Sequence, residues 1–186
     1  MNPHDPIALK REVAAVRIPS GEPVTLPAGL EVGITQSLGG TYTIVSDRGM
    51  MRIEARDADA LGLEVSVTLP AGGPSSEQPL DGKQTEEKIW ELLKTIYDPE
   101  IPVNIVDLGL VYDLALEPKD DGTRKALVKM TLTAPGCGMG PVLQNDAKTK
   151  IQALPGISEA EVVLVWDPPW HQGMISEVGR MKLGMV

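Results

Sequence analysis

Hydrophobic and polar positions follow two different rhythms along this chain. From residue 13 to residue 69 they alternate in short runs: Val13–Ile18, Pro23–Leu26, Leu30–Gln36, Thr41–Val45, Met50–Glu54 and Glu64–Leu69. Gly, Pro and Asp separate the runs. Successive side chains of a strand point to opposite faces, so a period of two predicts β-strands with one face buried. Ser46-Asp47-Arg48-Gly49 joins two runs and suits a tight hairpin turn. Asp57–Gly62 predicts one helical turn closed by glycine. The reading is a small all-β unit, a half-barrel in outline, and the uneven spacing excludes a repeat protein.

The rhythm changes after residue 82. Thr85–Tyr97 places Ile89, Leu92, Leu93 and Ile96 on one face at helical spacing, with Asp98-Pro99 as the stop. Val111–Leu116 and Ala126–Leu132 read as strands joined by the polar loop Glu117–Lys125. Pro141 fits the first turn of a second helix, which carries Leu143, Ala147, Ile151 and Leu154 and ends at Pro155-Gly156. Glu161–Trp166 is rich in β-branched residues and predicts a third strand, and a short helix follows from Ser176. The fold class expected is α+β: an α-β-β-α-β domain with a small sheet packed by helices, preceded by the small all-β domain. Gly72–Gly82 has turn formers and no apolar period, which makes it a linker. The domains expected are therefore residues 1–72, a linker 73–82, and residues 83–186.

Composition narrows the function. The chain has 186 residues and a formal charge of −9. Residues 1–72 hold six basic and nine acidic side chains, and the remainder eleven and seventeen. A nucleic-acid backbone would be repelled by both halves, and with no phenylalanine there is no aromatic platform on a basic strand. No apolar run of about 18 residues is present, so a membrane-spanning helix is not expected. The N-terminus does not read as a secretory signal, and one cysteine makes no internal disulfide, so the cytoplasm is the expected compartment.

That cysteine is the first candidate for chemistry. Cys137 lies in Thr133-Ala134-Pro135-Gly136-Cys137-Gly138-Met139-Gly140-Pro141, between a strand and a helix. Loop glycines let backbone N–H groups turn inward, and a helix N-terminus adds partial positive charge. Both favour the thiolate, which is the nucleophile and metal ligand. The alternative is a small buried hydrophobe, and residue chemistry alone leaves the two balanced. Asp98 and Glu100, pinned by Pro99 and Pro102, could ligate a metal or move a proton; solvated acids at a helix stop are the plainer reading. Asp107, ahead of Leu108-Gly109-Leu110, suits local turn hydrogen bonding. Pro168, Pro169 and Trp170 form a rigid apolar rim fit for a pocket wall or partner contact, and His171 is a ligand, a base or an exposed surface residue. Zinc-finger spacing, a P-loop, a dinucleotide fingerprint and a nucleophile elbow are all absent from the sequence. A Cys137–His171 hydrolase lacks a third member, so no catalytic set is assigned.

Three blocks then carry a resemblance. DPEIPVNIVDLGLVYDL (Asp98–Leu114), MTLTAPGCGMGPVL (Met130–Leu143) and VVLVWDPPW (Val162–Trp170) resemble, in order and separation, the signature blocks of the MIP-type iron–sulfur cluster assembly family. The likeness runs from Gln84 to the C-terminus. Ile18–Val45 and Asp57–Glu64 are similar to the extension that marks the long, SufT form of that family. The resemblance implies an accessory role in maturing iron–sulfur proteins, with Cys137 as the functional thiol. It implies a pocket shared by Asp98, Glu100 and Thr133, with Gly136 and Gly138 flanking the thiol. Ala134 stands where some relatives carry a second threonine, and the cysteine-bearing C-terminal extension of a ring-oxygenase branch is not seen.

Ligand counting sets the mechanism expected. A cluster takes about four protein ligands, mostly thiolates. One chain offers one sulfur and a homodimer two. The expectation is an adaptor or transfer protein, not an enzyme, with no tightly bound cofactor. Cys137 would touch iron or a transient iron–sulfur cluster while Trp170 and His171 face assembly or client proteins. A thiol enzyme using Cys137 as nucleophile and a pure binding module are the rival readings.

Overall fold

A computed structural model of the chain describes residues 6–64 and 81–185. The tail bearing His4, residues 65–69 of the last expected N-terminal strand and residues 72–80 of the expected linker lie outside the described residues. The chain divides into two compact units, Met1–Leu69 and Pro70–Val186.

In the first unit six strands form one antiparallel sheet: β1 (Ile7–Ala8), β2 (Val13–Ile18), β3 (Pro23–Leu26), β4 (Glu31–Leu38), β5 (Thr41–Ser46) and β6 (Gly49–Glu54). Their spatial order is β1-β4-β5-β6-β2-β3. Alternation works as the period of two requires: Val13 and Ala15 of β2, Ile44 of β5 and Met51 and Ile53 of β6 share one buried cluster with Leu26 and Leu61. The β5–β6 turn needs its glycine, since Gly49 has φ +102°. A 3-10 helix, Ala55–Leu61, is closed by Gly62 in the left-handed conformation. Arg11 holds that helix, its guanidinium 2.7 Å from Asp59 and 2.8 Å from Asp57. Those contacts lower the Asp59 carboxyl below its ordinary value. β1 has no counterpart in the hydrophobic pattern because two residues cannot show a period.

The second unit runs α1 (Gly82–Leu93), β7 (Val111–Pro118), β8 (Arg124–Met130), α2 (Gly140–Gln152), β9 (Ile157–Leu164) and α3 (Glu177–Lys182). β7 and β8 pair antiparallel, β8 and β9 parallel, in the order β7-β8-β9. The parallel pair demands a crossover, and α2 supplies it. Ala126, Val128 and Met130 of β8 bury toward Ile89 and Leu93 of α1 and Leu143, Ala147 and Ile151 of α2. Lysines at the alternate positions face the other way: Lys125 lies 2.7 Å from Glu161 and Lys129 3.4 Å from Asp113. The architecture is mixed α+β, with a large antiparallel sheet and a smaller sheet packed by helices.

Several boundaries differ from the pattern. α1 starts at Gly82, inside the expected linker, because Asp81 caps it: its Oδ1 accepts from Gln84 N–H at 2.7 Å and Gln84 Oε1 accepts from Asp81 N–H at 3.3 Å. It ends at Leu93, well before Asp98-Pro99. The Thr95 hydroxyl donates to the Leu92 carbonyl and the Ile96 carbonyl accepts from Ile105 N–H, which draws the backbone off the helical path. α2 ends at Gln152, leaving Leu154 beyond it. β9 starts at Ile157 and not Glu161, its first half masked in sequence by exposed Ser158 and Glu159.

Candidate functional site

The segment between β8 and α2 is built by glycines with separate duties. Gly136 has φ +81°, a turn conformation closed to most side chains. At Gly140 a Cβ would sit 2.7 Å from a Leu132 methyl and 3.2 Å from one of Leu164, so its bareness lets α2 dock on the sheet. Between them Cys137 is half-buried and packs against the helix-covered core. Its N–H donates to the Ala134 carbonyl at 3.4 Å, and its carbonyl accepts from Gly140 N–H at 3.2 Å. The thiol thus sits in a tight turn three residues ahead of α2, which has Pro141 in its first turn.

Asp98 closes the turn after α1. Its Oδ1 accepts from Glu100 N–H at 2.9 Å and Ile101 N–H at 3.0 Å. Burial raises its carboxyl above the ordinary value, against the downward pull of those two amides. Glu100 is exposed.

Asp107 does more than the turn bonding expected of it. Asn104 Oδ1 accepts from Asp107 N–H at 2.8 Å, and Asn104 Nδ2 donates to Asp107 Oδ2 at 2.7 Å. The other carboxylate oxygen, Oδ1, accepts from the Ser176 hydroxyl at 3.1 Å, and Lys182 Nζ lies 3.5 Å from Oδ2. Ser176 in turn caps α3 by accepting from Gly179 N–H at 3.1 Å. The C-terminal segment is therefore tied to the Asn104–Leu110 turns by side-chain bonds that no local pattern reveals.

A cleft of about 410 Å³ opens beside the thiol's loop, lined by Thr131, Leu132, Thr133, Pro135, Gly136, Trp166, Pro169 and Trp170. Trp170 is fixed in it by an indole N–H bond to the Leu108 carbonyl at 2.8 Å. Trp166 is 45% exposed. Next to lining Pro169, the Pro168 carbonyl accepts from the Tyr112 hydroxyl at 2.8 Å. Of the residues singled out in the sequence, Thr133, Gly136, Pro169 and Trp170 meet here, while Asp98, Glu100, Cys137, Gly138 and His171 are not among the lining residues. Exposed His171 has a local duty, its Nδ1 accepting from Gly173 N–H at 3.1 Å ahead of a 3-10 turn, Gln172–Met174. Thr131 and Trp166 were not singled out, because each reads in sequence as an ordinary strand residue. Among the described residues no three of His, Cys, Asp and Glu are gathered to hold a metal ion, and no helix is long and apolar enough to cross a membrane.

With this geometry in view, the matches to known proteins fall on the second unit. Residues 86–164 match the family model described as iron-sulfur cluster assembly protein. A Porphyromonas gingivalis protein named Fe-S protein maturation auxiliary factor is 40% identical over 103 residues, covering 55% of this chain and 94% of that one. Staphylococcus aureus Fe-S protein maturation auxiliary factor SufT is 41% identical over 90 residues, 48% of this chain and 98% of that one. A solved structure of a DUF59 domain from Bacillus anthracis shares 34% identity with a TM-score of 0.49, over 56% of this chain and 95% of its own. Two of the three blocks that carried the resemblance fall wholly inside the stretch matched by the family model and the third begins in it, and on the identity and coverage of the two maturation factors the chain belongs to the iron–sulfur cluster assembly protein family.

Proposed function

We propose that this chain is an accessory factor in iron–sulfur protein maturation that touches iron or a cluster briefly through Cys137 and hands it on. The observation that carries the reading is the single thiol, half-buried in the turn into α2 and next in sequence to the cleft. A stored cluster asks for about four ligands, mostly sulfur, and oxygen donors are poor substitutes. One sulfur suits contact and transfer. The relatives' names, as maturation auxiliary factors, support the same process. In this reading iron or the cluster is cargo, the chain is not an enzyme, and it works in the cytoplasm. Its partners are assembly or client proteins, and a homodimer would present two thiols.

The assignment of parts belongs to the same proposal. The assembly domain, expected over residues 83–186, takes in Gly82 and its cap Asp81 as well; residues 1–72 are a small all-β domain resembling the long form's extension, and the linker between them stops short of Asp81. Asp98, Glu100, Thr133, Gly136 and Gly138 form the thiol's surroundings; Asp98 holds its turn in shape. Trp170 and His171 belong to the partner surface.

Anaerobic affinity purification of wild type and Cys137→Ser tests this, with iron and sulfide measured and co-purifying proteins identified. Assembly or client proteins, or iron, should come with wild type and be lost from the variant. Stoichiometric, air-stable cluster on the isolated monomer, or equal capture by Cys137→Ser, would remove the transfer role.

A further inference from the structure

The cleft has the properties of a recognition site separate from the thiol. Its walls are two indoles and two prolines, Trp166, Trp170, Pro135 and Pro169. They are stiff, since prolines fix their own backbone and Trp170 is bonded to Leu108. A stiff site loses little freedom when it is filled. Thr133, half-buried, brings a hydroxyl to the lining.

Charge selects the occupant. No charged side chain of either sign lines the cleft, so a cationic occupant meets no repulsion there. Exposed Asp167 lies in sequence between Trp166 and the Pro168-Pro169 rim. The whole chain carries −9, which favours cationic partners at long range. Indole faces attract cations, arginine above all, because a guanidinium is planar, weakly hydrated and able to stack. A guanidinium is also a pure donor, suited to the Thr133 hydroxyl in the lining. We propose that this cleft receives an arginine side chain presented by a partner protein. The volume of about 410 Å³ leaves room for flanking backbone as well as the side chain. The proposal gives the partner of the maturation reading its chemistry, yet it stands on the cleft and not on the thiol.

The test is a titration of the full, isotope-labelled chain with the peptide acetyl-Gly-Arg-Gly-amide, followed by NMR. No iron, sulfide or client is present, so its failure and that of the Cys137 reading are told apart. The indole N–H signals of Trp166 and Trp170 and the amide of Thr131 should move together and saturate. The citrulline peptide, neutral and nearly the same shape, should bind about tenfold more weakly. Trp166→Leu, at an exposed position, keeps apolar bulk but removes the π face and should weaken the arginine peptide about tenfold. Thr133→Val keeps shape without that hydroxyl and should weaken it about fivefold. Tighter binding of acetyl-Gly-Phe-Gly-amide would overturn the cationic occupant in favour of an apolar one. Shifts confined to acidic surface residues, with both indoles unmoved, would overturn the site itself.

Discussion

At the scale of single residues, Asp98 shows opposed effects with a clear winner. Two amide hydrogen bonds stabilise its charged form, and burial penalises that form more. Its folded value therefore stands above the unfolded value near 3.8. The folded protein holds this proton more tightly, so the group's contribution to stability is greatest below the unfolded value and declines as pH rises through the folded one. Asp98→Asn keeps an acceptor oxygen for Glu100 and Ile101 but carries no charge. It should match or exceed wild type in denaturant unfolding at neutral pH and flatten the decline that sets in as pH rises above about 4. Asp98→Ala, which leaves two amides unserved, should cost about 1–3 kcal/mol. Equal destabilisation by both substitutions would mean that the charge, not the acceptor, holds the turn. Asp98, Cys137 and Trp170 were visible in sequence because their side chains are unusual in glycine- and proline-rich surroundings. Thr131 was not: whether a hydroxyl is partnered depends on atoms from β7, β9 and their loops, which no local pattern encodes.

The elements obey the same division between local and distant causes. Strands β2 and β3 match the alternating runs residue for residue, because their inward and outward faces differ sharply. The end of α1 misleads, since Pro99 is a breaker but Thr95 and Ile105 redirect the chain earlier. The C-terminal segment is the clearest case of distant control. Gly109 has φ +72°, and a Cβ there would lie 2.3 Å from the Met174 carbonyl oxygen. Alanine would thus meet both an unfavourable backbone conformation and a collision with backbone that cannot move alone. Gly109→Ala should destabilise the second unit by about 2–4 kcal/mol. Hydrogen exchange should show residues 172–185 losing protection first, since Ser176 and Lys182 depend on the same turn through Asp107. Wild-type exchange throughout that segment would show that the close packing of Gly109 on Met174 is not what holds it.

At the scale of the whole molecule, the two hydrophobic clusters have no buried residue in common. The family match, residues 86–164, belongs entirely to the second unit. All three tryptophans, Trp90, Trp166 and Trp170, belong to it too, so their fluorescence reports its unfolding alone. A chain of that size can bury a sufficient core. Residues 81–186 expressed alone should therefore unfold in one cooperative, fluorescence-detected transition. Leu110→Ala, at a fully buried position, should lower its stability by about 2–5 kcal/mol. The place where the fragment begins matters as much as its core. Asp81 and Gln84 satisfy each other's backbone amides at the start of α1, although the hydrophobic pattern assigns Asp81 to a linker. Asp81→Ala in the fragment should cost about 1 kcal/mol. Non-cooperative melting of the 81–186 fragment would show that the second unit needs the first in order to fold, and an unchanged midpoint in Asp81→Ala would show that α1 is held by its buried face, Ile89 and Leu93, without help from its cap.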